Sequence, residues 1–121
     1  MEAVSLNGTA LDLASYADSR FPLTDLAEEN TVRVESTMDY SRTGEGLHRY
    51  VDPADGEVYL YSQFEVADAR RVFANFEQPD LKADFTFTIT APEGWRVFSN
   101  SPTPEPVPAG DGTATWSFTP T

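Results

Sequence analysis

Between residues 84 and 90 the chain alternates strictly: Phe85, Phe87 and Ile89 on one side, Asp84, Thr86, Thr88 and Thr90 on the other. A period of two places successive side chains on opposite faces of a strand, and a helix cannot bury such a pattern. One face is large and apolar and the other mostly β-branched hydroxyl, which predicts a sheet with one buried side. The same period runs from Glu57 to Phe64. Val58, Leu60 and Phe64 share one face there, and Tyr59, Tyr61 and Gln63 share the other. Shorter strands are expected at Ala3 to Leu6, Thr31 to Met38, His48 to Val51, Trp95 to Ser99 and Thr115 to Phe118. Turn chemistry separates them: Asn7-Gly8, Asp52 to Gly56, Pro92-Glu93-Gly94 and Ala109 to Gly112. Helix is scarce. Asp68 to Phe73 has room for one or two turns before Pro79, and Leu11–Ala17 and Thr24–Glu29 for a turn each. Proline at every second position from Pro102 to Pro108 rules out a central strand and predicts an extended connection. The reading is an all-β chain, an antiparallel sandwich or curved, saddle-like sheet with one short helical turn, forming one domain over residues 1–121.

Composition narrows the function. Twenty acidic residues against eight basic ones give a net charge of −12. Neither nucleic acid nor an anionic membrane surface is expected as a partner, because both need a basic stripe. The N-terminus lacks the basic-then-apolar layout of a secretory signal, so a cytoplasmic location is expected. There is no cysteine and a single histidine, His48, so a zinc site, which usually draws on several His or Cys ligands, is not expected from these residues. Gly44-Glu45-Gly46 lacks the surroundings of a phosphate-binding turn and reads as a loop. Asn7-Gly8-Thr9 matches a glycosylation sequon, but Asn-Gly is also a favoured hairpin turn, and the turn reading is preferred. Arg70 and Arg71 are most simply partners for Asp68, Glu77 or Asp80.

The run Tyr61-Ser62-Gln63-Phe64-Glu65-Val66-Ala67-Asp68-Ala69-Arg70-Arg71-Val72-Phe73, followed by Phe76-Glu77-Gln78-Pro79-Asp80-Leu81-Lys82-Ala83, carries more than a generic strand pattern. It resembles the N-terminal domain of the M1 family of zinc aminopeptidases. The continuation from Phe85 to Trp95 and Ser99-Asn100, the upstream Gly46-Leu47-His48-Arg49-Tyr50, and Val4-Ser5-Leu6-Asn7-Gly8 extend the likeness over nearly the whole chain, with residues 46 to 100 matching best. The chain departs from the family in having Ala74-Asn75 where Pro-Cys is frequent and Glu77 where Asp is common. It also contains neither a His-Glu-x-x-His nor a Gly-x-Met-Glu-Asn motif, which in the family lie in a later catalytic domain. The resemblance therefore implies a fragment of a larger enzyme, with zinc bound in the parent and no cofactor here. It implies that Glu65 binds the free α-amino group of a peptide substrate and that Gln63 lines the first subsite beside it. The implied partners are the substrate's N-terminus and the catalytic domain of the same polypeptide. The isolated chain is expected to be inactive, and its unpaired strand edges to favour self-association. A competing reading is a free-standing β-sandwich module that binds protein or carbohydrate through its sheet edges or its aromatic face, Tyr59 and Tyr61. The reading frame after Thr121 would discriminate the two.

Overall fold

The computed structural model describes all 121 residues. The protein is all-β and antiparallel, and its chain divides into two compact units, Met1–Glu77 and Gln78–Thr121.

In the first unit, strands β1 (Ala3–Leu6), β2 (Thr9–Ala10) and β3 (Val32–Glu35) form a sheet in the order β2-β1-β3. Asn7 (φ 51°) and Gly8 (φ 83°) both occupy the left-handed region, as a type I′ turn requires, and they set Leu6 opposite Thr9. The Asn7 side chain reaches back across the sheet. Its Oδ1 accepts from the Thr31 N–H at 2.7 Å, and its Nδ2 donates to Asn30 Oδ1 at 3.0 Å. Val4 and Leu6 are the buried apolar residues of this sheet. A separate hairpin joins β4 (Gly46–Val51) to β5 (Val58–Gln63), in register from Gly46 opposite Gln63 to Val51 opposite Val58. The faces of β5 divide as its alternation predicts: Val58 and Leu60 are half-buried, Tyr59 and Tyr61 exposed.

In the second unit, β6 (Thr88–Pro92), β8 (Thr113–Ser117) and β7 (Val107–Pro108) form a sheet in the order β6-β8-β7. Ala114, Trp116 and Phe118 point inward from and just beyond β8. They pack with Val97 as a buried cluster, flanked by Phe87, Ile89 and Ala91. The proline-rich run contributes only β7, which lies at the sheet edge where proline is tolerated.

Two expected strands differ from the sequence reading, and the short helical turns fall where they were expected or shrink to bends. The expected strand at 84–90 starts only at Thr88. Phe87 O still accepts from Phe118 N at 2.9 Å, but the next partner of that ladder would be Pro120, which has no N–H. Phe85 O takes the Thr121 N–H instead, one residue out of step, and the regular ladder ends. Trp95 to Ser99 forms no strand: the Val97 carbonyl accepts from the Thr103 hydroxyl at 3.1 Å, while the Val97 side chain stays in the core. Asp68 to Phe73 yields one 3₁₀ turn, Ala69–Arg71, and Leu13–Ser15 is another. Thr24 to Glu29 makes bends alone, because Asn30 captures both the N–H and the carbonyl of Ala27 with its own amide. No helix is long and apolar enough to cross a membrane.

Candidate functional site

The resemblance singles out Gln63 and Glu65, and the fold places them where a strand gives way to a turn. Gln63 is the last residue of β5, Phe64 follows half-buried, and Glu65 to Asp68 form the turn. The turn closes through the Asp68 N–H, which donates to Phe64 O at 3.0 Å. Ala69–Arg71 then winds back as the 3₁₀ turn, and the Phe64 and Phe73 rings meet edge to face with centroids 5.5 Å apart. Phe64 is thereby held from two sides. Glu65, directly after it, is exposed at the start of the turn. The peptide between Glu65 and Val66 is cis.

The two proposed site residues are brought together. The Gln63 side chain curls over the turn, and its Oε1 accepts from the Glu65 N–H at 3.4 Å. The Glu65 carboxylate itself has no hydrogen-bond or ion-pair partner. That freedom is notable because two arginines follow within six residues. Arg71 is taken by Asp68, Nε to Oδ1 at 2.7 Å, and Arg70 faces Glu77 at 3.9 Å, as expected from the sequence. Each of these two arginines thus faces another carboxylate, and the Glu65 carboxylate stands unpartnered.

Two features of this corner were not read from the sequence. The first is Gly46, which is buried and has φ +66°. A Cβ there would lie 3.0 Å from Arg71 Cβ and 3.4 Å from Arg71 Cδ, so the arginine stem lies along the glycine. The signal available was the glycine itself at the start of a strand, where a close backbone approach is one of the few reasons to place it. The second is Glu45, whose carboxyl is held below its ordinary range, first by the Thr43 hydroxyl, with the Arg71 charge a smaller contribution. Glu45 therefore stays ionised near the same arginine.

His48 lies within β4. Its Nδ1 accepts from the Gly44 N–H at 3.0 Å and its ring sits 4.9 Å from that of Tyr61, so it braces the loop before the strand. Nowhere do three or more His, Cys, Asp or Glu side chains gather in a way that could hold a metal ion.

Comparison with known proteins identifies the family. Residues 12–121 match the peptidase M1 N-terminal domain family. Aminopeptidase N of Streptomyces lividans is 59% identical over 120 residues, 98% of this chain but 13% of that protein. Aminopeptidase N of Acetobacter pasteurianus is 32% identical over 88% of the chain and 31% of its own length. The bovine aminopeptidase N is 29% identical over 93% of the chain and 14% of its own length. The chain thus spans less than a third of each of these relatives. With a match running over nearly all of its residues, the chain belongs to the peptidase M1 N-terminal domain family.

Proposed function

We propose that this domain reads the amino terminus of a peptide on behalf of an aminopeptidase of which it is the N-terminal part. The observation that carries the reading is the unpartnered Glu65 carboxylate on a closed turn, with the neighbouring arginines neutralised by Asp68 and Glu77. A peptide α-amino group has a pKa of about 7.7–8.0, so it is largely cationic at neutral pH and pairs with a carboxylate. Held at a constant distance from the reacting centre, such a carboxylate makes the enzyme count one residue from the substrate's end. Gln63, folded over the Glu65 backbone, borders the space in which the first side chain lies.

Zinc belongs to the parent enzyme in this reading. The residues here do not fit it: the single histidine already spends Nδ1 on the Gly44 N–H, and no cluster of donor side chains surrounds it. The metal and the bond-breaking step are assigned to a catalytic domain of the same polypeptide, working in the cytoplasm.

Alone, the domain is inactive. An exposed ion pair contributes about 0–1 kcal/mol, and 1 kcal/mol corresponds to a dissociation constant of roughly 0.2 M. Glu65 needs the rest of the substrate site to register a ligand.

The test is made in the full-length protein. Glu65→Gln keeps the shape and removes the charge, and a charge-assisted hydrogen bond supplies about 1.5–3 kcal/mol in an enclosed site. The expected result is a roughly 10- to 100-fold loss in kcat/KM on an N-terminal alanine chromophore, most of it in KM. Kinetics equal to the wild type would remove Glu65 from the substrate site.

A further inference from the structure

The turn that presents Glu65 must itself be anchored to the sheet. Closure by the Asp68 N–H on Phe64 O fixes the loop's internal shape but not its tilt relative to the β4–β5 hairpin. Contact with the hairpin comes through Arg71. Its stem runs along Gly46, the residue opposite Gln63 in the register, so close that an added Cβ would stand 3.0 Å from Arg71 Cβ. Val72 reaches the same glycine, 3.6 Å from that position. The guanidinium is then tied back to the turn, Nε to Asp68 Oδ1 at 2.7 Å. One side chain therefore touches the end of the hairpin with its stem and the Glu65 turn with its head.

Stability does not account for this arrangement. Arg71 is 57% exposed, and a surface pair of this kind contributes little, because solvent and salt screen it. Geometry is what it controls. A displacement of about 1 Å at a reacting or binding group can cost on the order of 100-fold in rate. Resting on the anchoring role proposed for Glu65, we infer that Arg71 is a positioning residue: seated on Gly46 and tethered to Asp68, it sets where the Glu65 carboxylate stands relative to Gln63. Arg71 never touches the substrate. Gly46 belongs to the same device from the other side, since a side chain there would press the arginine stem away by a few tenths of an ångström and would also have to adopt φ +66°.

The experiment measures kcat and KM on an N-terminal alanine chromophore for the full-length protein and five variants, with thermal midpoints recorded alongside. Arg71→Ala is expected to raise KM about tenfold, with kcat changed less and the midpoint close to wild type. Arg71→Lys, which keeps a methylene stem over Gly46 and a cation beside Asp68, is expected to recover most of the loss. Gly46→Ala, built independently, is expected to raise KM in the same direction should Arg71→Ala not be recovered in folded form. Glu65→Gln and the Arg71→Ala/Glu65→Gln double variant complete a cycle. If Arg71 acts through Glu65, the double variant is no worse than Glu65→Gln alone. Wild-type KM in both Arg71→Ala and Gly46→Ala, beside an impaired Glu65→Gln, overturns the positioning role alone. So do losses that simply multiply in the double variant. Wild-type KM in Glu65→Gln overturns the anchoring reading and this inference with it.

Discussion

Residues Gln78–Thr121 and Met1–Glu77 are stabilised by different means. The second region gathers Val97, Ala114, Trp116 and Phe118 into one apolar cluster, with Ala114 fully buried and Trp116 2% exposed. The first buries only Val4 and Leu6 among its large apolar side chains, yet it contains every ion pair in the protein. Its loops are clipped by side chains to backbone: Asp12 to Ala14, Asn30 to Ala27, Asp52 to Ala54, Asn75 to Glu77. Burial of a large aromatic is non-directional and contributes several kcal/mol; a polar clip is directional and contributes about one. The region that carries the candidate site is thus shaped by many small, orientation-sensitive bonds, and a single substitution there moves geometry more readily than it moves global stability.

This contrast breaks most visibly at Trp116. Trp116→Ala should cost about 3–5 kcal/mol, read by urea unfolding, with amide protection collapsing across β6, β7 and β8. A loss under about 1 kcal/mol would show that the cluster is not what holds the second region together. The corresponding single-residue test in the first region is Asn7→Ala. It removes two hydrogen bonds and leaves alanine at φ 51°, so a cost of roughly 1–3 kcal/mol is expected, with β1–β3 amides exchanging faster.

Acidification acts on each region through exposed carboxylates, with a smaller effect. Asp111 is held below its ordinary range by the Thr113 hydroxyl and then its N–H. Asp55 is held down by the Glu57 N–H and then the Tyr59 phenol. A carboxyl with a lowered folded-state pKa stabilises the fold above its unfolded value and loses that contribution as pH falls through the lowered one. Stability in each region should therefore drop below about pH 4, and Asp111→Asn should flatten the acid limb of the second region only. Alkali separates them further. Tyr59 is raised, chiefly by donating its hydroxyl to Asp55 at 2.7 Å. Its neutral form is the stabilised one, so that contribution persists below the usual tyrosine value and is lost as pH rises past the raised one. Ultraviolet titration of the phenols should lose a component lying above the usual tyrosine value in Tyr59→Phe; an unchanged curve would refute the bond. Arg33→Ala, at an exposed pair with Glu35, should change stability by less than about 1 kcal/mol.

Period-two alternation was enough to read the strand class and the faces of Val58 to Gln63, and turn chemistry the Asn7-Gly8 hairpin, because each rests on neighbours in sequence. Strand ends were misplaced where a distant residue decided them. Pro120, lacking an N–H, broke the ladder at Phe85, and Thr103 took the carbonyl that Val97 would have given to a strand. The candidate site shows the same division. Gln63 and Glu65 were legible as a motif, and the pairing of Arg70 and Arg71 with nearby acids followed from sequence distance. That Arg71 lies on Gly46, 25 residues earlier in the numbering, depends on the tertiary path of the turn, which no local pattern encodes.

The Asn7 clasp has a consequence for how this protein ages. An asparagine followed by glycine deamidates when the glycine nitrogen attacks the side-chain amide carbon, a reaction that needs a mobile side chain and a pliable backbone. Here the amide is engaged at both ends, by the Thr31 N–H and by Asn30, within a turn pinned between paired strands. Chemical damage at this position requires the Asn7 side chain to release Asn30 and Thr31, just before β3. The extent of conversion at Asn7 in a stored sample therefore records how often that clasp is undone.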